Sequence, residues 1–542
     1  MTIGNKITWL RQKNNISQEE LADRLEVSRQ SVSKWEMDSA YPRIDKLMQM
    51  CSIFSVSADA LLRNDISFDT TKNSEVREST PNHYFGTDGF RGEANIDLTA
   101  EQAFKVGRFL GWYYASPLSG CRDRTYKPKF VIGKDTRRSS YMLEYAIATG
   151  ITASGGDTYM LHVTTTPSVS YVTRQDNFDC GIMISASHNS YEDNGIKLVN
   201  RFGEKMDDET ISLIEAYLDG KNELLLNNGE KDLPLAKRER IGAIIDYVSG
   251  RNRYMGYLIS IVSHSFRSIR VGLDCANGSS WMIAPAIFEA LGATTYVINA
   301  SPDGQNINND AGSTHIDGLV KLVREQHLDV GFAFDGDADR CIAVDENGNV
   351  ISGDHILYIL ANQLKRKGIL NHDTIVATIM SNAGLTKALA DVGINTVKTA
   401  VGDRYVYEAM MKDGYLLGGE QSGHIILQKY ATTGDGILTA LMLMEEILDR
   451  KSTLGKLASP VKIFPQTLIN VKVSDKAAVM NDTDVKALSN KTESELAGSG
   501  RVLLRKSGTE NVIRVMVECE NEEKCAYYAE SIASLIKERY GI

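Results

Sequence analysis

The sequence predicts an α/β protein of several layered domains, with a small all-α module in front and an α+β domain at the end. Three observations predict it. From Tyr84 onward, strand-like apolar runs such as Phe130-Val131-Ile132-Gly133, Ile182-Met183-Ile184, Val271-Gly272-Leu273-Asp274, Val330-Gly331-Phe332-Ala333-Phe334 and Thr374-Ile375-Val376-Ala377 alternate with helix-like periods such as Trp281 to Leu291 and Ile356 to Lys367. Repeated alternation of this kind, with strands that look buried on both faces, points to mostly parallel sheets under helices. The first ~60 residues read instead as a string of short helices. The end of the chain differs again, with strands near Thr467 to Val473 and Val512 to Glu518 and a closing helix through Ala526 to Arg539. At 542 residues the chain is too long for one core, and three to five domains are expected.

In the N-terminal module, Ile7, Leu10 and Arg11 begin an amphipathic turn. Ser17 caps the segment Gln18 to Leu25, with Glu20 at the third helical position as in a capping box. Ser28 caps Arg29 to Glu36. Between residues 64 and 82 the composition turns to Asn, Asp, Thr, Ser, Lys and Glu, which reads as a solvated linker. With 42% hydrophobic and 24% charged residues and only 10 Pro, neither wholesale disorder nor a fibrous repeat is indicated. A formal net charge of −10 argues against an electrostatic grip on nucleic acid by the whole chain and leaves room for a local basic face. The seven cysteines, Cys51, Cys121, Cys180, Cys275, Cys341, Cys519 and Cys525, include no CxxC pair, so reduced, buried thiols are expected. The N-terminus lacks an apolar stretch followed by a small-residue cleavage site, and no apolar run is long enough to span a bilayer. The expectation is a cytoplasmic protein with no membrane partner.

Four short segments carry residue types suited to chemistry. Ile184-Ser185-Ala186-Ser187-His188-Asn189 sets a hydroxyl among small residues after an apolar strand, with a histidine beside it. Read alone, Ser187 is either a cap in a strand-to-helix turn or a nucleophile and phosphate carrier, with Lys197 downstream as base or electrostatic partner. Asp335-Gly336-Asp337-Ala338-Asp339-Arg340 repeats a carboxylate at every second position directly after a buried strand. In an extended segment those side chains project to one side. Their mutual repulsion is relieved by a divalent cation, and all-oxygen ligation beside phosphate suits Mg²⁺. A solvated acidic turn is the plainer alternative, and a calcium loop would need the longer EF-hand pattern, which is missing. Gly418-Gly419-Glu420-Gln421-Ser422-Gly423-His424 offers polar groups for sugar hydroxyls in a turn whose glycines allow close approach. Arg505-Lys506-Ser507-Gly508-Thr509-Glu510-Asn511, with Arg514 beyond, offers amides, hydroxyls and a forked guanidinium to a dianionic phosphate. A tight turn and a charged turn are the plain readings of these two. Phe85-Gly86-Thr87-Asp88-Gly89-Phe90-Arg91-Gly92 adds a glycine-rich loop with an arginine. Together the segments supply a carrier hydroxyl, a metal site, a polyol site and a phosphate clamp, which phosphoryl transfer on a sugar requires.

In this order the loops resemble the α-D-phosphohexomutase superfamily, and within it the bacterial phosphoglucosamine mutases, from about Tyr84 to the C-terminus. Further carriers of the likeness are Ile132-Gly133-Lys134-Asp135-Thr136-Arg137, Tyr191-Glu192-Asp193-Asn194-Gly195-Ile196-Lys197, Asn306-Ile307-Asn308, Gly312-Ser313-Thr314-His315, Val401-Gly402-Asp403-Arg404-Tyr405 and Thr432-Thr433-Gly434-Asp435-Gly436. The resemblance implies four domains around a cleft, three of related α/β build and a smaller fourth. They are expected at 84–240 with the phosphoserine loop, 241–355 with the metal loop, 356–463 with the sugar loop and 464–542 with the phosphate loop, after a module at 1–63 and a linker at 64–83. It implies that phospho-Ser187 donates to glucosamine 6-phosphate, that the 1,6-bisphosphate turns around, and that glucosamine 1-phosphate leaves. Mg²⁺ would be held by Asp335, Asp337, Asp339 and a Ser187 phosphate oxygen. Glu420 and Ser422 would read sugar hydroxyls, with Lys398 also on the substrate. Arg505, Ser507, Gly508, Thr509 and Arg514 would clamp the non-reacting phosphate. Lys197, Arg91 and Arg340 would supply base or charge roles, and His188 would tune the serine or simply pack. The family usually has proline where Ser190, Lys506 and Asn511 stand, so looser phosphate binding is expected with no reacting group lost.

The first segment resembles the Cro-type helix-turn-helix module, on Ile16-Ser17-Gln18-Glu19-Glu20-Leu21-Ala22 and Val27-Ser28-Arg29-Gln30-Ser31-Val32-Ser33-Lys34-Trp35-Glu36. The resemblance implies DNA contacts from Gln18, Arg29, Gln30, Ser33 and Lys34. Charges nearly balance here, so a homodimer is expected to be needed for affinity. The alternatives to an amino-sugar enzyme are a phosphoglucomutase or phosphomannomutase, and a regulator whose mutase-like body senses phosphosugar.

Overall fold

The computed structural model describes residues 3–13, 16–25, 27–54, 83–119, 125–226, 232–496, 500–506 and 511–541. Contacts divide the chain into two units, Met1–Pro81 and Asn82–Ile542. Most of the expected linker, and the thiols of Cys51 and Cys121, lie outside the described side chains.

The first unit contains the helices Ile3–Lys13, Gln18–Arg24, Arg29–Glu36 and Ile44–Phe54. Ser17 and Ser28 cap the second and third, accepting from the amides of Glu20 and Ser31, so both expected caps are in place. Ile7, Leu10, Leu21, Leu25, Val32, Trp35 and Met50 form its core. Arg11 reaches Glu36 at 2.6 Å and ties the first helix to the third.

The second unit contains four sheets among the described residues. The first joins β1 (Phe85–Gly86), β2 (Gly89–Glu93), β3 (Lys129–Lys134), β4 (Asp157–Val163), β5 (Cys180–Ile184), β6 (Asp193–Asn200) and β7 (Ile244–Asp246) in the order β1-β2-β6-β5-β3-β4-β7. The second joins β8 (Arg270–Asp274), β9 (Thr294–Ile298), β10 (Val330–Phe334), β11 (Cys341–Val344) and β12 (Val350–Ile351) in the order β12-β11-β10-β8-β9. The third joins β13 (Thr374–Thr378), β14 (Asn395–Thr399), β15 (Leu417–Gly419) and β16 (Ile425–Leu427) as β14-β13-β15-β16. The fourth, β17 (Gln466–Lys472), β18 (Gly500–Lys506) and β19 (Val512–Cys519), is antiparallel and carries the long helix Glu522–Tyr540.

β5, β10 and β13 are buried along their whole length, which is why they read as unbroken apolar runs. They pair in parallel with β3, β8 and β14. The three sheets are nevertheless mixed, with parallel pairings on one side and antiparallel pairings on the other. β5 returns through β6, β10 through β11 and β15 through β16, each time antiparallel. The three returns hold the Ser187, Asp335–Asp339 and Glu420–His424 segments, so Ser187 lies in a strand-to-strand loop and caps no helix. A single apolar core runs from β8 and β10 of the second sheet to β13 and β15 of the third, with the helix Gly436–Arg450 within it. Among the described residues no helix is long and apolar enough to cross a membrane. Cys180, Cys275, Cys341, Cys519 and Cys525 are buried and free.

Candidate active site

Ser187 is buried and adopts a positive φ of 51°, a conformation that costs a non-glycine residue free energy and persists only where neighbours impose it. Its carbonyl accepts from Arg137 Nη2 at 2.9 Å and from Asn308 Nδ2 at 2.8 Å, and its amide donates to Ser185 Oγ at 2.9 Å. Asp135 anchors this frame, accepting from Ser185 Oγ at 2.7 Å and Arg137 Nε at 2.8 Å. The carbonyl of Ser190 also accepts from Arg137. Any residue supplies that carbonyl, so the loop is restrained here without a proline.

Ser187 Oγ donates to Asp335 Oδ2 at 2.6 Å, and His188 Nδ1 lies 3.4 Å from the same oxygen. Asp335, Asp337 and Asp339 are all buried, and each brings a carboxylate oxygen within 4.8 Å of the others. The segment is a turn, not the extended run expected: Ala338 has φ +57° and its amide donates to Asp335 O at 3.0 Å. Burial, with Asp339 and Asp337 beside it, pushes Asp335 well above the usual carboxylate range. Burial opposes ionisation of Asp339 too, but Lys197 and His424 hold it well below that range. Asp337 Oδ2 accepts from Lys197 Nζ at 2.8 Å and Thr166 Oγ1 at 2.6 Å, whereas Asp337 Oδ1 and Asp339 Oδ1 are buried with no hydrogen-bond partner. Buried carboxylate oxygens left without a hydrogen bond are costly. Three such groups at this separation fit a hard divalent cation.

Lys197 is buried, 3.1 Å from Asp88 and 3.6 Å from Asp339. Burial works against its charge, but these carboxylates raise its pKa and keep it an ammonium, which suits charge stabilisation better than proton abstraction. Arg91 pairs with Asp88 and reaches Asn189 Oδ1 at 3.3 Å. Arg340 Nε lies 3.8 Å from Asp339. Burial, then Arg340 and Arg91, lower the His188 pKa to about 4.

Glu420 accepts from the Gly402 amide at 3.1 Å, and Ser422 Oγ is buried without a partner. His424 lies 3.7 Å from Asp339. Burial alone would lower its pKa, but Asp339, Asp403 and Glu420 push it up to about 9. Lys398 lies on β14 with Arg501, Glu518 and Asp354 as its electrostatic neighbours, apart from the aspartate cluster. Arg505 and Arg514 face each other across β18 and β19, and Arg514 Nε is buried and unpartnered. Ser507, Gly508 and Thr509 lie outside the described residues. In the first unit, Arg29, Gln30 and Lys34 are exposed on one helix and Ser33 is half-buried. Gln18 instead donates to Glu36 at 2.6 Å.

The described geometry is therefore a buried serine hydroxyl hydrogen-bonded into a carboxylate cluster that could hold a metal ion, with the turn of a third sheet beside it. Models of the phosphoglucomutase/phosphomannomutase family match this chain as alpha/beta/alpha domain I over residues 82–224, domain II over 252–348, domain III over 352–464 and the C-terminal domain over 468–535. The chain belongs to that family. A helix-turn-helix family model matches residues 7–61. The phosphoglucosamine mutase of Lachnospira eligens is 60% identical over 456 residues, which cover 84% of this chain and 98% of that protein. That of Bacillus subtilis is 45% identical over 459 residues, covering 85% and 99%. Among solved structures, a phosphoglucomutase/phosphomannomutase family protein from Burkholderia thailandensis superposes with a TM-score of 0.67 at 21% identity, covering 85% of this chain and 99% of its own. An Aspergillus fumigatus N-acetylphosphoglucosamine mutase, solved with GlcNAc-6P and magnesium, gives 0.58 at 17% identity, covering 84% and 95%. At these identities the superpositions speak for the fold.

Several mutase-cluster residues were given no role from sequence. Asp88, Arg137, Asn308 and Asp403 stood inside segments that carried the resemblance, so a signal existed. Thr166 and Lys205 had none, because their contacts span long stretches of chain.

Proposed function

We propose that the chain is a phosphoglucosamine mutase, interconverting glucosamine 6-phosphate and glucosamine 1-phosphate through phospho-Ser187 and a 1,6-bisphosphate. The observation that supports this most is Ser187 Oγ bonded to Asp335 at 2.6 Å on the edge of three buried carboxylates. Asp335, Asp337, Asp339 and the serine phosphate would hold Mg²⁺, whose charge would lower the cost of the negative charge that builds up on the phosphoryl oxygens. In the first half-reaction the sugar O1 takes the phosphoryl group as its bond to Ser187 Oγ breaks, and the O1 proton ends on the serine side. In the second, Ser187 Oγ attacks the phosphorus on O6, losing its proton as the P–O6 bond breaks and O6 is protonated. His188, 3.4 Å from Ser187 Oγ, is placed to exchange that proton. Lys197, Arg91 and Arg340 stabilise charge. Glu420 and Ser422 read hydroxyls in both sugar orientations, and Arg505 and Arg514 with the 507–509 loop clamp the distal phosphate.

In this reading the enzyme is cytoplasmic, and its N-terminal unit binds DNA as a dimer through Arg29, Gln30, Ser33 and Lys34, the helix-turn-helix match being its support. The test of the enzyme is relative turnover of glucosamine, glucose and mannose 6-phosphates with Mg²⁺ and a bisphosphate activator. The amino sugar is expected to be fastest, and preference for another of the three would move the assignment to that sugar. Retention of genomic fragments in a low-salt gel shift tests the DNA role, and free migration of all of them would remove it.

A further inference from the structure

The charged groups beside the aspartate cluster close into a ring in which acidic and basic side chains alternate. Lys197 lies 3.1 Å from Asp88, Asp88 lies 3.3 Å from Lys205, and Lys205 lies 2.7 Å from Asp403. Asp403 is 3.6 Å from His424, His424 is 3.7 Å from Asp339, and Asp339 is 3.6 Å from Lys197, where the ring began. The six residues come from three sheets. Asp88 sits in the β1–β2 turn, Lys197 on β6 and Lys205 just after it; Asp339 sits in the β10–β11 turn; Asp403 opens the helix Asp403–Asp413, and His424 ends the β15–β16 turn.

Lys205 is where the first and third layers meet in this ring. An ammonium has three donors, and those of Lys205 meet Thr87 O at 3.0 Å, Asp88 Oδ1 at 3.3 Å and Asp403 at 2.7 Å. A cavity of about 390 Å³ opens beside it, lined in part by Asp88, Lys197, Lys205, Asp339, Asp403 and Arg404. Thr432 Oγ1 donating to Gly203 O at 2.7 Å and Arg404 paired with Asp208 at 2.6 Å also join the layers at that opening, while within the ring the link is ionic. Without the Lys205 charge, Asp88 has Lys197 and Arg91 left as cationic partners and draws Lys197 away from Asp337 and Asp339. Asp403 then keeps only His424 of its two ring partners.

We propose that Lys205 is a positioning residue for phosphoryl transfer: it clamps the Asp403 loop to Asp88 and, through Asp88, fixes Lys197 between Asp337 and Asp339. The assignment rests on the mutase reading of the same site. It is tested with Lys205→Met, Lys205→Arg, Asp403→Asn and the Met/Asn double variant of the full chain. Lys205→Met is expected to lower kcat by about ten- to a hundredfold, as small misplacements of reacting groups do, with KM for the sugar phosphate moved less than about threefold. Lys205→Arg should recover most of kcat, and the double variant should be no slower than Lys205→Met, because both break one link. Calorimetric titration of the dephosphorylated proteins with Mg²⁺ gives a reading independent of turnover. Loss of the Lys205 charge should tighten Mg²⁺ binding on the order of threefold and loss of the Asp403 charge should weaken it, the signs Coulomb's law dictates near a cation site. A Lys205→Met enzyme within twofold of the wild-type kcat, multiplicative defects in the double variant, or Mg²⁺ shifts of one sign in both single variants would each overturn the proposal. A wild-type chain inactive on all three sugar phosphates would instead count against the mutase reading, and the Mg²⁺ titrations would then decide the ring alone.

Discussion

At Ser187 the backbone, not the side chain, is the unusual feature. A positive φ there is imposed by Arg137 and Asn308 on its carbonyl, so removing the hydroxyl leaves that frame standing. Ser187→Ala is expected to abolish turnover and remove the phosphoryl mass from the intact protein while leaving the melting temperature nearly unchanged; a variant that still turns over would reject the phosphoserine. Asp435 allows a second prediction. It accepts from the Leu438 amide at 2.9 Å and from Tyr254 OH at 2.8 Å, yet burial pushes its pKa up to about 6. A carboxyl raised in this way favours the fold while neutral, and that contribution is lost as pH rises through about 6. A shift of roughly two pH units corresponds to about 3 kcal/mol. Asp435→Asn, whose oxygen keeps the Leu438 contact while its NH2 donates to the Tyr254 hydroxyl, should therefore gain thermal stability relative to wild type between pH 4 and pH 7, and a difference that stays flat over that range would contradict the assignment. Residues of this kind were legible unevenly. Ser187 and the three aspartates announced themselves because their types and spacing are contiguous in the chain. Thr166 did not, because its bond to Asp337 crosses 171 positions.

The elements explain why the cluster is so compact. The Ser187, Asp335–Asp339 and Glu420–His424 loops each sit where a buried, parallel-paired strand turns back through an antiparallel neighbour, so short turns present their polar groups at the ends of apolar strands. Gly336 shows how tight the arrangement is: a Cβ there would lie 2.5 Å from Ser187 O and 2.9 Å from Asn308 Nδ2. Gly336→Ala is expected to push the serine loop off the carboxylates and cost about a hundredfold in kcat, with little change in stability if the loop can shift. Activity near wild type would mean that this approach is unimportant. The strands were readable from their apolar runs, and the caps Ser17 and Ser28 from their residue type. The antiparallel returns were not, since pairing direction leaves no mark in a short run that is buried either way. β18 was missed for a related reason. Its sequence ends in Arg505 and Lys506, and an edge strand with charged residues resembles a loop.

On the scale of the whole molecule, Met1–Pro81 and Asn82–Ile542 are separate compact units, each with its own core. The relatives named above align over nearly their full lengths while leaving part of this chain unmatched. A variant beginning at Asn82 should therefore retain mutase turnover within about twofold, since a unit with its own core is able to fold alone. Loss of turnover in a folded truncation would show that the N-terminal unit contributes to the reaction.

By itself the sequence determined the layered α/β class, the helical module, and the serine and aspartate loops as the segments suited to chemistry, because burial pattern, capping chemistry and close spacing are local properties of a chain. Only the tertiary structure decided that the sheets are mixed, that the aspartates converge through a turn, and that Lys205, Asp88, Asp403 and His424 close a charged ring with Lys197 and Asp339. Those facts depend on which distant segments meet, and electrostatic pairing at about 3 Å acts between neighbours in space whatever their separation along the chain.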